Sequence, residues 1–170
     1  MTDVPGNIPL DNSRCNKYID SVKTERRKWL RCPEEDAFLE IVRTADSLSR
    51  ALVGIMKEED VSPAQYNVLR ILRGAPEGLA CGEIGARMIT RDPDITRLLD
   101  RMEKRELISR SRDNKDRRMV TTKITSTGLG LLARLDEPIR RKHQEQLGHL
   151  GTERLQRLSE LLLEARARAA

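Results

Sequence analysis

The sequence has few aromatic residues, cysteines or histidines, and it contains no long hydrophobic run. One Trp, two Tyr and one Phe all lie before residue 67, which argues against single-stranded nucleic-acid binding by base stacking. Three cysteines are too few for a disulfide framework. No apolar run approaches the roughly 20 residues of a membrane span, and residues 1–10 lack the basic and apolar segments of a signal peptide. We therefore expect a cytoplasmic protein without a membrane partner.

Positive charge is concentrated in two parts of the chain, although the net charge is only +5. Residues 14–32 carry 7 basic and 2 acidic side chains, and residues 87–118 carry 11 and 7. Between them, residues 34–86 carry 5 basic and 10 acidic side chains. The two basic segments suit a phosphate-bearing partner. Because aromatic side chains for base stacking are scarce, double-stranded nucleic acid is a better candidate partner than a single strand.

Hydrophobic spacing predicts a mainly helical chain. Residues 1–33 are interpreted as a basic, partly flexible N-terminal extension. Apolar residues three and four apart predict an amphipathic helix over 34–58. A capping box of Ser62 and Gln65, with Pro63 between them, predicts the start of a second helix that ends near residue 73.

A short third helix over 80–88 and a fourth helix follow. Asp92 is the expected N-cap of the fourth helix and Pro93 its first residue. From Leu107 the period changes to about two, and Val120 begins a second alternating run, so a β-hairpin with a charged tip is predicted. Two leucine-rich helices close the chain.

The second, third and fourth predicted helices, followed by the hairpin, give the order of elements in a winged helix-turn-helix, a mainly α fold with a small β-hairpin wing. In that fold the last of these three helices, here the fourth, enters the major groove of DNA. Thr96 and Arg97 are then the candidates for reading bases, while Arg101 and Lys104 suit phosphates. The alternative is a solvated helix face on which Arg97 and Arg101 pair with Asp94 and Asp100. Further DNA contacts are expected before the helix and in the hairpin, from Arg91, Arg112, Lys115, Arg117 and Arg118, with Asp116 and Arg110 stabilising the wing.

Residues Asp92–Gly128 resemble the MarR family of bacterial transcription regulators. The resemblance is carried by Thr96–Glu103, by Asp113–Arg118 in the wing, and by Ile124, Thr125 and Gly128 before the next helix. It extends from about Asp36 to Arg168. There are two departures from the family pattern. Glu106 occupies the position of a usual glycine and should strain or reshape the turn into the wing, and the basic segment before Pro33 is longer than the family minimum.

The resemblance implies a homodimer whose interface is built from the first helix and the last two. This dimer is expected to bind a pseudo-palindromic operator and to act as a repressor. The rows of leucines on those helices also favour a dimer, because one small winged domain cannot cover so much apolar surface. We assign residues 59–124 to DNA binding and residues 34–58 with 125–170 to dimerisation. The predicted dimer contacts are Phe38, Ile41, Leu135, Ile139, Leu155, Leu158 and Leu162.

Two other classes of function stay open, namely a non-specific architectural DNA binder and a dimeric protein-interaction module. The family's usual inducers are small aromatic acids and phenols. For such an effector we predict a pocket near Leu48, Leu52, Tyr66 and Arg70, with Arg70 as the carboxylate partner; core packing explains the first three equally well.

No catalytic site, metal site or cofactor is expected. Gly128–Ala133 matches the dinucleotide pattern G-x-G-x-x-A, but the residues after it form no βαβ unit. His143 and His149 have no cysteine at ligand spacing. Some relatives sense oxidants through a thiol, so Cys15 and Cys32, which each follow an arginine, and Cys81 are either redox sensors or inert.

Overall fold

The computed structural model describes residues 32–90, 93–112 and 120–168, the side chain of Arg112 excepted. The chain divides into two units, Met1–Asp46 and Ser47–Ala170. A 3-10 turn, Gly148–Leu150, separates the last two helices. The other elements are α1 (Pro33–Glu58), α2 (Pro63–Arg73), β1 (Leu79–Ala80), α3 (Cys81–Arg87), α4 (Ile95–Lys104), β2 (Ile108–Arg112), β3 (Val120–Ile124), α5 (Ser126–Leu147) and α6 (Gly151–Ala167). This order is that of the predicted winged helix-turn-helix.

The capping box predicted at the start of α2 is present. The Ser62 Oγ accepts a hydrogen bond from the backbone N–H of Gln65 at 3.2 Å, and the Gln65 Oε1 accepts one from the N–H of Ser62 at 3.0 Å. Two backbone donors that the helix itself cannot satisfy are thereby paired. The helix then begins at Pro63, whose missing N–H costs nothing at that position.

The main core lies within the second unit, between α2, α3, α4, α5 and the sheet. Leu69 and Leu72 of α2, Ile84 of α3, Met102 of α4 and Leu132 of α5 are at most 1% exposed. Within each helix the apolar residues recur three and four positions apart, so each helix turns one apolar face inward. Burial of each such side chain stabilises the fold by about 1.5–3 kcal/mol.

The sheet has one strand more than the predicted hairpin. Its order is β1-β3-β2, all antiparallel, with Leu79 opposite Thr122 and Ile108 opposite Ile124. The sequence pattern assigned Ala80 to the third helix, because a two-residue strand has no measurable period. Pairing with β3 makes Leu79–Ala80 a strand, and α3 begins only at Cys81.

The fourth helix begins later than predicted. The N-cap of α4 is Asp94, whose carboxylate accepts from the N–H of Arg97 at 3.3 Å, and Pro93 lies in the preceding turn. Asp92 lies outside the described residues. Both aspartates are good N-caps by type, and the position of the first helical turn decides between them.

Glu106 has φ 55°, in the left-handed region that favours glycine. Its N–H bonds to the carbonyl of Glu103 and the N–H of Leu107 to that of Met102, which is the Schellman ending of a helix with Glu106 in the usual glycine position. The strain expected from this departure is therefore present. The carbonyl of Glu106 accepts a hydrogen bond from the Thr125 hydroxyl at 2.6 Å, which ties the strained turn to the start of α5.

Two predicted dimer contacts are corrected by their burial. Leu135 and Ile139 are 1% and 4% exposed within the core of a single protomer, so they have no surface to offer a second copy. Phe38 and Ile41 on α1, and Leu158 and Leu162 on α6, are exposed by 40% or more, while Leu155 is partly buried.

Within the described ranges, no helix is both long and apolar enough to cross a membrane.

Gly128 lies where the first turn of α5 passes the end of the wing. A Cβ atom there would clash with the carbonyl oxygen of Leu107 and would lie 2.8 Å from Cγ1 of Ile124. Gly130 lies two residues further along the same helix, and no atom lies within 4 Å of the position that its Cβ would occupy. The glycine pair that resembled a dinucleotide motif thus contains one glycine required by packing.

We predict opposite effects for alanine at these two positions. Gly128→Ala should lower the free energy of unfolding by about 2–3 kcal/mol, because the backbone of Leu107 must move. Gly130→Ala, the matched control, should raise it by about 0.5–1 kcal/mol through its higher helix propensity. Urea denaturation of both variants measures the difference, and equal stabilities would contradict the prediction.

Candidate nucleic-acid interface

Helix α4 separates apolar and charged side chains onto opposite sides. Leu98, Leu99 and Met102 are at most 2% exposed and pack into the core. Thr96 and Arg97 in the first turns are exposed, as are Arg101 and Lys104 further along, the last two completing a row that faces solvent. The structure therefore brings together, on one helix face, the four residues that were predicted to contact DNA through this helix.

Arg97 has a partner at the start of the helix. Its Nε lies 3.1 Å from Oδ2 of Asp94, and its side chain remains 78% exposed. A pair so exposed contributes little to stability, and its guanidinium is accessible to a ligand. The alternative of a solvated face with internal ion pairs is thus partly realised.

Arg101 and Lys104 form no ion pair with any of the described residues. The carboxylate predicted as a partner of Arg101, that of Asp100, is instead bound to Arg110 on strand β2 at 2.5 Å. This exchange leaves the positive charge of Arg101 uncompensated. The C-terminal half of the helix face therefore attracts anions more strongly than the sequence count suggests.

Arg110 joins the wing to α4 through several hydrogen bonds. Its Nε and Nη2 donate to Oε2 of Glu103 at 2.9 and 2.6 Å, and its backbone N–H donates to Oε1 of the same carboxylate at 3.2 Å. Together with the bond to Asp100, these contacts hold the first wing strand against the helix. We call Arg110, Asp100 and Glu103 the wing clamp.

The wing clamp is electrostatically favourable for the arginine. The hydrogen bonds that Arg110 donates to Glu103, and then those to Asp100, raise the pKa of its guanidinium above its ordinary value. The Arg110 side chain is only 23% exposed, so solvent screens these charges less than at the Arg97 pair. Arg110 was predicted to stabilise the wing, whereas its two carboxylate partners were not identified.

A second contact missed in the sequence fixes the loop before α4. The side-chain oxygen of Asn67, on α2, accepts a hydrogen bond from the backbone N–H of Ile89 at 2.9 Å. An asparagine on a helix gives no periodic signal, so only proximity in space identifies it. Both this bond and the wing clamp position elements that flank the exposed face of α4.

The remaining predicted DNA contacts lie outside the described residues. These are Arg91, the side chain of Arg112, and the wing-tip residues Lys115, Arg117 and Arg118, together with the wing-stabilising Asp116. Their roles stay predictions. Arg112 ends β2 and Val120 begins β3, and these two residues are paired with each other.

The predicted effector pocket residues lie on α1 and α2. Tyr66 is 8% exposed, and the guanidinium carbon of Arg70 lies 5.8 Å from the centre of its ring. The Leu48 carbonyl accepts from Nε2 of Gln146 at 3.2 Å, and Leu52 packs against the core. Their role in binding an effector stays a prediction.

Cys32 is exposed and Cys81 is partly buried, whereas Cys15 lies outside the described residues. The Cys32 thiol donates a 2.8 Å hydrogen bond to Oε2 of Glu34 and thereby lowers the pKa of that carboxyl group. Among the described residues there is no cluster of histidine, cysteine and carboxylate side chains suited to a metal ion.

Comparison with known proteins places the winged domain among regulators. A sequence profile of the MarR family matches residues 61–120. The HTH-type transcriptional regulator TtmR of Methylorubrum extorquens (strain PA1) is 32% identical over 96 residues, which cover 56% of this chain and 49% of that protein. The chain thus spans about half the length of this curated relative.

Solved structures match over nearly their whole length. The MarR transcription factor from Planctomyces limnophilus is 38% identical, with a TM-score of 0.61 over 78% of this chain and 97% of that one. The transcriptional repressor CouR, solved on a 23-mer DNA duplex, shares the fold at 24% identity, with a TM-score of 0.67 over 81% and 98% of the two chains. These similarities are to regulators and not to enzymes.

We predict that the wing clamp stabilises the fold measurably. Arg110→Met should lower the free energy of unfolding by about 1 kcal/mol, because its three-way pairing is partly shielded from solvent. A double-mutant cycle with Glu103→Gln should give a coupling energy of about the same size. The matched control, Arg157→Met, removes an exposed pair with Glu160 and should change stability by less than about 0.5 kcal/mol. A coupling energy near zero would contradict the role assigned to the clamp.

Proposed function

This chain belongs to the MarR family of transcription regulators, and from that premise we propose that it binds a specific DNA operator and represses transcription. The observation that carries the proposal is α4, whose apolar side is buried and whose exposed side holds Thr96, Arg97, Arg101 and Lys104. A ten-residue helix of this kind fits the major groove, which is roughly 12 Å wide.

The exposed residues of α4 divide into two roles in this proposal. Thr96 and Arg97 lie in the first turns, which approach base edges most closely when a recognition helix enters the groove. The weak pair between Arg97 and Asp94 is exchanged for a bidentate contact with guanine. Arg101 and Lys104, which lack partners among the described residues, neutralise backbone phosphates.

The wing supplies a second contact. The basic segment between strands β2 and β3 is the proposed contact with the neighbouring groove, where an arginine is attracted by the negative potential. The wing clamp holds strand β2, which precedes this segment in the sequence, against α4. Arg117 or Arg118 is the proposed groove contact, and Asp116 orients a neighbouring arginine.

A homodimer accounts for the exposed apolar residues of the first and last helices. Phe38 is 63% exposed, and α6 exposes Leu158, Leu161, Leu162 and Leu163 by 40–55%. Exposed large apolar side chains on an amphipathic helix are typical of an interaction face. A two-fold dimer presents two α4 helices to half-sites about 34 Å apart, which requires an operator with dyad symmetry. We retain residues 59–124 as the DNA-binding region and 34–58 with 125–170 as the dimerisation region.

We predict that charge on α6 separates the dimer. The double variant Leu158→Glu with Leu162→Glu should sediment as a monomer, because two carboxylates cannot be buried unpaired in the interface. Its affinity for a palindromic duplex should fall at least tenfold, since one half-site is lost. Ile89→Glu, which places the same charge at an isoleucine 85% exposed outside the assigned dimerisation region, is the matched control and should remain dimeric. A double variant that sediments as a dimer would contradict the assignment.

Effector response is the further part of the proposal. A small aromatic acid or phenol would bind near Tyr66 and Arg70 and lower the affinity for DNA, as the family resemblance implies. Titration of the protein–duplex complex with millimolar salicylate tests this assignment. Unchanged duplex affinity would contradict it.

Fluorescence anisotropy tests operator binding directly. Purified full-length protein is titrated with duplex from upstream of its own gene and with a shuffled duplex, at two salt concentrations. Preference for the native duplex that persists at the higher salt is the expected result, because base contacts depend less on counterion release than phosphate contacts do. If the protein does not prefer the native duplex, binding sequences are selected from a random duplex library. Equal binding to all library sequences would instead favour an architectural DNA binder.

Two substitutions on α4 should affect DNA binding in different ways, one changing sequence discrimination and the other overall affinity. Arg97→Ala should relax discrimination at one base pair, by about 1–3 kcal/mol, when a set of single-substituted operators is compared. Lys104→Ala should weaken all these duplexes about equally and lower the salt slope by about one. If Arg97→Ala instead weakens every duplex equally, its role in base readout is excluded.

A further inference from the structure

Ile89 is the most exposed of the large apolar side chains in the part of the chain that the structure describes. It is 85% exposed, whereas Phe38, the next in order, is 63% exposed. Ile89 lies in the connection between α3, which ends at Arg87, and α4, which begins at Ile95. This connection is outside both segments assigned to dimerisation, so a homodimer does not account for the exposed side chain.

Contacts on both sides of the peptide hold the backbone at Ile89 in place. The Asn67 side-chain oxygen accepts the hydrogen bond from the Ile89 N–H at 2.9 Å, and the Met88 N–H donates to the Gly85 carbonyl at 3.4 Å. The side chain of Met88 packs against the core. Because the backbone is already ordered, a contact made through the Ile89 side chain loses little further conformational entropy.

The elements before and after Ile89 both belong to the candidate DNA interface. Helices α3 and α4 meet where a Cβ atom on Gly85 would lie 3.4 Å from Cδ1 of Ile95. In a helix-turn-helix the first of these helices crosses the DNA backbone and the second lies in the major groove. Arg87 is exposed and forms no ion pair with any residue in the described ranges, so it suits a phosphate. Ile89 thus lies in the chain between a candidate phosphate contact and Arg97, the proposed base contact.

The chemistry of an aliphatic side chain restricts what it can recognise on a duplex. Isoleucine has no hydrogen-bonding atom in its side chain, so it gains nothing from a phosphate or from the donors and acceptors of base edges. The C5-methyl group of thymine is the apolar group that the major groove presents. Deoxyribose carbons are apolar as well, but they occur at every nucleotide and carry no sequence information. Since the connection leads into the first turn of α4, which lies nearest the base edges, the thymine methyl group is the better match.

We propose that Ile89 reads a thymine by packing against its C5-methyl group, and that Asn67 is a positioning residue for this contact. The inference deepens the proposed function and rests on it. It adds to the operator a preference for thymine at one position of each half-site. Arg97, whose guanidinium suits guanine, does not supply that preference.

Removal of single methyl groups from the duplex tests the contact. Each thymine of one half-site of the preferred operator is replaced in turn by deoxyuridine, which lacks only the C5-methyl group and keeps the Watson–Crick edge. The parent should lose affinity about fourfold at one of these positions, the effect of one buried methyl group. Ile89→Ala should bind the unmodified operator at least about fourfold more weakly, and deoxyuridine at that position should then have no further effect.

Two controls accompany this experiment. Ile89→Ala should have the free energy of unfolding of the parent, because its side chain is almost fully exposed, and urea denaturation checks this. Thr90→Ala, which truncates the exposed neighbouring side chain, is the matched control and should keep the about fourfold ratio between the thymine and deoxyuridine duplexes. If Thr90→Ala abolishes that ratio and Ile89→Ala keeps it, Thr90 and not Ile89 reads the methyl group.

The positioning role of Asn67 has its own readout. Asn67→Leu removes the acceptor of the Ile89 N–H and should reduce the thymine to deoxyuridine ratio to about twofold or less, while discrimination at the base pair assigned to Arg97 persists. Asn67→Asp keeps an oxygen acceptor, so it should restore the ratio although its charge weakens binding to every duplex. An unchanged ratio in Asn67→Leu would overturn the positioning role.

The outcomes separate this contact from the proposed function. If the parent prefers an operator but Ile89→Ala leaves every deoxyuridine effect unchanged, the inference is wrong and the proposed function stands. In that case equal weakening of all duplexes by Ile89→Ala would indicate a deoxyribose contact, and unchanged duplex affinity would indicate a partner other than DNA. A parent without any sequence preference would contradict the proposed function itself, and the inference with it.

Discussion

Burial of the apolar face of α4 is the interaction on which the candidate DNA interface depends. Leu98, Leu99 and Met102 are almost fully buried, and each contributes about 1.5–3 kcal/mol. Rotation of the helix about its axis would return them to water, so the helix has one stable orientation. That orientation determines which charged residues face solvent. The chemistry available to DNA is therefore set by packing on the opposite side of the same helix.

Ion pairs at the edges of α4 determine what its outer face offers. Asp100 and Glu103 are engaged by Arg110 of the wing, and Arg105 by Asp60 at the end of α1. Each pair is partly exposed and adds only modest stability. Their larger consequence is electrostatic, because the acidic residues of α4 are neutralised locally. Arg101 and Lys104 consequently remain without an ion-pair partner among the described residues and can meet an anionic partner.

The features predicted well are those with a local cause. The capping box at Ser62 and the strain at Glu106 depend on residues within five positions of each other, so their geometry can be inferred from the chain itself. The errors involve competition between alternatives of similar local quality. Asp94 caps α4 where Asp92 was expected, and Leu135 packs into its own protomer's core where a dimer contact was expected.

By itself, the sequence determined the helical periods, the turn chemistry and the concentration of positive charge from residue 87 onward, because each depends on residue types at short spacing. Only the tertiary structure decided which charges remain unpaired. Arg110 reaches Glu103 seven residues away, and Arg105 reaches Asp60 across forty-five. Such pairs depend on distances in space, and a strand as short as β1 likewise exists only through its pairing with β3. A pair one helical turn apart, such as Arg97 with Asp94, can be predicted from spacing, whereas pairs between residues distant in the sequence depend on how the elements pack.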